Sequence, residues 1–145
     1  MIEGIVIQDL RQIEDGRGKV MHMLRKDNPL FVQFGEVYFS VVNPETVKAW
    51  KRHRKMTQLF VVPRGDIRLV IYDDRDGSPT KAHIDVYEIG EKAYRLIRIP
   101  PNVWYGFQGI SKDPALIVNC ADLVHDPDEV ERCDANDERV PYEWK

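Results

Sequence analysis

The feature that most constrains this chain is a period of two that recurs in short runs, each closed by turn residues. Over 36–42, Val37, Phe39 and Val41 share one side and Tyr38, Ser40 and Val42 the other. Over 66–72, Ile67, Leu69 and Ile71 alternate with Arg68, Val70 and Tyr72. Successive side chains of a strand point to opposite faces, so such runs predict strands. Further strands are predicted over 1–8, 19–24, 47–53, 58–65, 81–89, 95–99, 103–109 and 115–121. Between them stand Asp15-Gly16-Arg17-Gly18, Asp27-Asn28-Pro29, Asn43-Pro44 and the dense turn signal from Asp73 to Pro79. No stretch carries the spacing of a long amphipathic helix. Many short strands at this interval predict an all-β sandwich or barrel.

A chain of 145 residues is expected to form a single domain, 1–145, burying roughly two-thirds of its surface. No apolar run approaches the roughly 20 residues that cross a bilayer as a helix, so no membrane partner is expected. The N-terminus MIEGIVIQDL lacks the basic start and long apolar centre of a secretory signal, which predicts a cytoplasmic protein. The strand that starts it could pair within the chain or across a dimer. Net charge is −3 with dispersed basic residues, which argues against a nucleic-acid partner. Cys120 and Cys133 fall in no metal-binding spacing and are expected to be free thiols. No Gly-rich phosphate loop is present, so neither ATP nor NAD is expected as a cofactor. The tail over 126–145 is acidic until Val140, Tyr142 and Trp144, and reads as a strap pinned back by those last apolar residues.

One local exception to the charge pattern is the stretch from Val47 to Gly65, VKAWKRHRKMTQLFVVPRG. Its cations Lys48, Lys51, Arg52, Arg54 and Lys55 read either as an anion site or as charges that keep a strand edge from aggregating. The stretch resembles the first metal-binding half-motif of the cupin family. Lys51 stands at the first histidine position, His53 at the second, Gln58 at the glutamate and Gly65 at the closing glycine. The second half-motif is echoed by Pro100, Asn102 and Tyr105 in IPPNVWYGF. Of the ligand positions only His53 can hold a metal, and a lysine ammonium is a poor ligand until it loses its proton. A pocket without metal is therefore expected, with Lys51 and His53 on one inward face.

Four further segments narrow the resemblance: EDGRGKVMHML, VPRGDIRLVIYDDRDGSPT, IPPNVWYGFQGIS, and CADLVHDPDEVER followed by VPYEW. Together they resemble the dTDP-4-dehydrorhamnose 3,5-epimerase family, metal-independent cupins acting on nucleotide-linked 4-keto-6-deoxy sugars in dTDP-rhamnose biosynthesis. The resemblance implies a cupin-type jelly roll, a homodimer, a dTDP-linked nucleotide-sugar substrate, and no cofactor. It implies His53 as the base that removes a proton next to the carbonyl, and Arg17 as the arginine that contacts the diphosphate, with the N-terminal region reaching the neighbouring subunit's site. A carboxylate near the C-terminus, Asp134 or Asp137, would orient the base.

The chain also departs from the family. Gln58 replaces the lysine that steadies the enolate, a charge that Lys51 could supply instead. The segment that carries the family's acidic tyrosine reads Ala121-Asp122-Leu123-Val124-His125, without a tyrosine. Tyr105 and Tyr38 remain as proton sources, with His125 a further candidate, while His22 and His83 read as surface residues. Three functions follow: an epimerase or related ketoisomerase, a sugar-nucleotide-binding module without activity, and a metal cupin with unconventional ligands around His53.

Overall fold

In the computed structural model, which describes residues 1–145, the chain forms twelve strands and one 3-10 turn. They are β1 (Val6–Asp9), β2 (Gln12–Asp15), β3 (Gly18–Met21), β4 (Glu36–Val42), β5 (Val47–His53), β6 (Gln58–Arg64), β7 (Asp66–Tyr72), β8 (Ile84–Gly90), β9 (Arg95–Ile99), β10 (Trp104–Gly109), β11 (Ala115–Ala121) and β12 (Val130–Arg132). Two five-stranded antiparallel sheets face each other, in the orders β1-β9-β6-β11-β4 and β12-β5-β10-β7-β8. The pair β2 and β3 stands apart as a hairpin. This is the all-β barrel that the alternation predicts, in the jelly-roll form that the family resemblance implies.

The main core lies between the sheets, built from residues such as Val42, Phe60, Leu69, Ile71, Ile97 and Ile117. Strand β6 departs from alternation, because Leu59, Phe60, Val61 and Val62 are all buried. Its inner face meets the main core, whereas Leu59 and Val61 lie outside it under Leu10, Met21, Met23, Leu24 and Leu30. A strand covered on both faces has no solvent side to keep polar. The other sheet is covered likewise: Trp50, Val70 and Trp104 pack against Val140, Tyr142 and Trp144. The strap expected from the tail is thus in place.

Several element ends differ from the sequence reading. The first strand begins only at Val6, because residues 2–5 close a turn in which Ile5 N donates to Ile2 O at 3.2 Å. Gly4 makes the turn possible with φ of +93°, and Ile2 and Ile5 are spent on the core. Strand β1 pairs with β9 of the same chain. The strand expected over 19–24 is the shorter β3, paired with β2, which the sequence reading did not anticipate. The one expected over 81–89 starts at Ile84, because the preceding residues stay in the turn organised by Asp73.

The Asp73 carboxylate is fully buried and accepts from Arg75 Nε and Nη2, Ser78 Oγ and Thr80 Oγ1. Burial opposes its ionisation, but Arg75 and the two hydroxyls prevail and hold the carboxyl far below the usual range. Gly65 forms the one-residue link between β6 and β7 at φ of +74°, and a Cβ there would meet Ala115 Cα at 2.7 Å. Only glycine fits both demands.

Candidate active site

Strand β5 lies between β10 and β12, and its inner face carries the residues singled out in the sequence. His53 is buried, and its Nδ1 is hydrogen-bonded to Glu129 Oε1. Glu129 comes from the turn Pro127–Glu129 just ahead of β12, whose register places Val130 opposite His53. The turn is set by Asp126, whose side chain caps it, and by Pro127 at its start. The other oxygen of Glu129 accepts from the backbone N–H groups of Lys55 and Met56, at 3.1 and 3.3 Å. Burial alone would raise the Glu129 pKa, yet His53 and these two amides hold it below the usual carboxylate value.

This corrects the expectation that Asp134 or Asp137 orients the base. Asp137 is taken up by Arg139, and the backbone carbonyl of Asp134 accepts from Asp137 N. With the Nδ1–H given to Glu129, the lone pair of His53 sits on Nε2, which is buried and has no hydrogen-bond partner. Burial lowers the His53 pKa, partly countered by Glu129, so the resting ring is neutral. An oriented neutral imidazole with a free lone pair can act as a general base.

Beside it, between the two sheets, opens a cavity of about 350 Å³. Phe60, Phe107 and Ile117 form its apolar wall, and Tyr38, Lys48, Lys51, Tyr105, Asn119 and Arg132 bring polar groups to it. His53 is not itself a lining residue; it stands behind Tyr105, the two ring centroids 6.3 Å apart and the planes tilted by only 13°. Lys51 and Arg132 are register partners across β5 and β12, and neither side chain makes an ion pair or hydrogen bond. No carboxylate lines the cavity. Burial and the nearby Arg132 and Lys48 lower the Lys51 pKa. The arrangement suits an anionic ligand.

A neutral hydrogen-bond chain through Gln58 links three of the lining residues. Tyr105 Oη donates to Gln58 Oε1 at 3.1 Å, and Asn119 Nδ2 donates to the same oxygen at 2.7 Å and to Tyr38 Oη at 2.8 Å. Register accounts for it, since Asn119 pairs directly with Tyr38 across β11 and β4. The structure therefore brings together Tyr38, Lys51, Gln58 and Tyr105, with His53 behind them. Arg17 is not brought to the cavity of its own chain. It lies in the β2–β3 turn, 91% exposed, paired with Asp15 at 2.9 Å. His83 and His125 are exposed and His22 half-buried. No three His, Cys, Asp or Glu side chains gather as ligands for an ion.

Glu129, Asn119 and Arg132 escaped the sequence reading. Asn119 left a signal, being the polar residue among the inward positions 115, 117, 119 and 121 of its strand. Glu129 and Arg132 left none, since a three-residue strand is too short to show a period.

A jelly roll with a carboxylate-backed imidazole beside a cationic cavity defines a class, that of cupin-fold epimerases working by proton transfer. The chain belongs to the dTDP-4-dehydrorhamnose 3,5-epimerase family, whose model matches residues 1–145. It is 38% identical over 144 residues to the probable low-salt glycan biosynthesis epimerase Agl13 of Haloferax volcanii, covering 98% of this chain and 89% of that protein. It is 32% identical over 146 residues to the spore coat polysaccharide biosynthesis protein SpsL of Bacillus subtilis, covering 99% and 97%. The crystal structure of a dTDP sugar isomerase from Desulfovibrio desulfuricans superposes with a TM-score of 0.96 at 50% identity, covering 99% of this chain and 92% of that one.

Proposed function

We propose that the protein epimerises a dTDP-linked 4-keto-6-deoxy sugar at carbon 3, carbon 5 or both, with His53 as the base, in the making of dTDP-rhamnose or a related sugar. The observation that carries this reading is the His53–Glu129 pair, its Nε2 unpartnered, stacked behind Tyr105 of a cavity free of carboxylates. The 4-keto group acidifies the hydrogens on its neighbouring carbons. His53 Nε2 takes one of them, and Glu129 stabilises the imidazolium that forms. The electron pair moves into an enolate, whose oxygen needs a positive charge close by. Lys51 supplies it in place of the family lysine, for Gln58 carries no charge and its Oε1 already accepts two hydrogen bonds.

Two further proposals attach to this one. The protein works as a homodimer in which Arg17, on its projecting hairpin, meets the diphosphate bound by a second copy. The outward face of edge strand β4, where Val37, Phe39 and Val41 are 47%, 69% and 53% exposed, offers an apolar surface for that second copy. The protein acts in the cytoplasm, and its free Cys120 and Cys133 suit a reducing compartment.

The test is deuterium uptake into dTDP-4-keto-6-deoxyglucose in heavy water, followed by mass spectrometry. The wild type is expected to add one or two deuterons, and His53→Gln to slow uptake about a thousandfold. Binding of dTDP without His53-dependent uptake would instead identify a sugar-nucleotide-binding module.

A further inference from the structure

We propose that Tyr38 is the acid that protonates the enolate on the face opposite His53, with Asn119 as the residue that positions its oxygen. The proposal rests on the epimerase reading above and deepens it. Inversion at carbon requires two proton-carrying groups, one on each face of the enolate. His53 and Tyr105 stand on the neighbouring strands β5 and β10 of one sheet, their rings nearly parallel. A proton from Tyr105 would arrive from the base's own side. Tyr38 stands on β4, in the opposing sheet, and lines the same cavity.

The direction of the hydrogen bonds separates the two phenols further. Tyr105 gives its proton to Gln58 Oε1 and is only 4% exposed. Tyr38 does the reverse: its oxygen accepts from Asn119 Nδ2, and its own proton has no acceptor in the protein. A donor that holds the phenol oxygen fixes the ring and also stabilises the phenolate that remains once the proton has gone. Burial raises the Tyr38 pKa on balance; Asn119 and Arg132 counter it only in part, and Glu36 adds to it. Complete burial pushes Tyr105 much further up.

The step balances. The carbon's C–H bond breaks, its proton goes to His53 Nε2 and its electron pair into the enolate. The enolate carbon then forms a new C–H bond on its other face with the proton of Tyr38, whose O–H pair stays on oxygen. Solvent returns a proton to the phenolate and removes one from His53, so substrate and product are isomers.

The experiment compares wild type, Tyr38→Phe and Tyr105→Phe with dTDP-4-keto-6-deoxyglucose in heavy water, measuring deuterium exchange by mass and epimer formation by NMR. Tyr38→Phe is expected to keep exchange through His53, which also shows that it is folded, while forming epimer about a hundredfold or more slowly. Tyr105→Phe, losing one buried hydrogen bond, is expected to slow epimer formation by no more than about tenfold. Asn119→Leu should move the alkaline limb of the epimerisation rate to higher pH, because Tyr38 loses the donor that lowers its pKa. Glu36 and Arg132 act on Tyr38 in both proteins, and Lys48, Lys51 and Tyr105 line the same cavity, so the shift between variants reports Asn119. Epimerisation by Tyr38→Phe at the wild-type rate overturns the acid assignment alone. Loss of exchange together with epimerisation in that variant overturns it too, since an acid acts after the enolate has formed. Absence of exchange in the wild type overturns the epimerase reading and the acid with it.

Discussion

The two faces of β5 carry similar charges and treat them in opposite ways. On the outer face, Arg52 meets Asp74 at 2.9 Å and Glu131 at 2.6 Å, Arg54 meets Glu131 at 2.8 Å, and the Arg52 guanidinium lies 4.5 Å from the centre of the Trp104 ring. On the inner face, Lys51 has no partner, and neither does Arg132 beside it. A cation taken out of water without a counter-charge costs stability, and proteins keep such costs where a ligand will repay them. The difference separates a strand side built for the fold from one built for an anion.

Four substitutions probe that contrast. Glu129→Gln, which keeps the shape of the one carboxylate bonded to the inner-face base, should lower kcat roughly a hundredfold. Because Glu129 raises the His53 pKa against the effect of burial, the acid limb of the pH–rate profile should also move to lower pH; a limb that stays in place would show that another group governs it. Lys51→Met should reduce kcat by about as much or somewhat less, with the affinity for dTDP nearly intact, as expected of a charge that serves the enolate. Arg132→Met, in the cavity lining, should weaken dTDP binding about tenfold in calorimetry and spare kcat at saturation. Smallest of all, Arg52→Met on the outer face should leave turnover within about twofold and lower stability by about 1 kcal/mol in urea titration, since partly exposed ion pairs contribute little. An Arg52→Met effect on kcat as large as that of Lys51→Met would break the distinction between the faces.

The same strand shows how far a sequence can be read. Alternation placed β4, β5, β7 and β11 and put Lys51 and His53 on a shared face, because a period of two is local and each run was long enough to display it. Family resemblance supplied what periodicity could not, the expectation that His53 rather than another histidine is the base. The partner of that histidine was out of reach. Asp126, Asp128, Glu129, Glu131, Asp134 and Asp137 crowd one acidic tail, and only the pairing of Val130 with His53 selects among them. Alternation also says nothing about which side of a strand faces inward. In β4 the apolar side, Val37, Phe39 and Val41, points out, while Tyr38 and Ser40 look into the cavity, the reverse of what a hydrophobic pattern suggests for a lone chain.

The small strand β12 carries a consequence for how the molecule becomes competent. Its turn brings Glu129 and its end brings Arg132, so one segment supplies both the partner of His53 and a charge of the cavity. Strand β12 docks on β5, and the residues after it fasten over Trp50 through Tyr142 and Trp144, ring centroids 6.1 and 5.1 Å away. A chain emerging from the ribosome has made β1 to β11 while His53 still lacks its carboxylate partner. His53 gains its carboxylate partner, and the cavity its Arg132, only once β12 has been made and docks on β5.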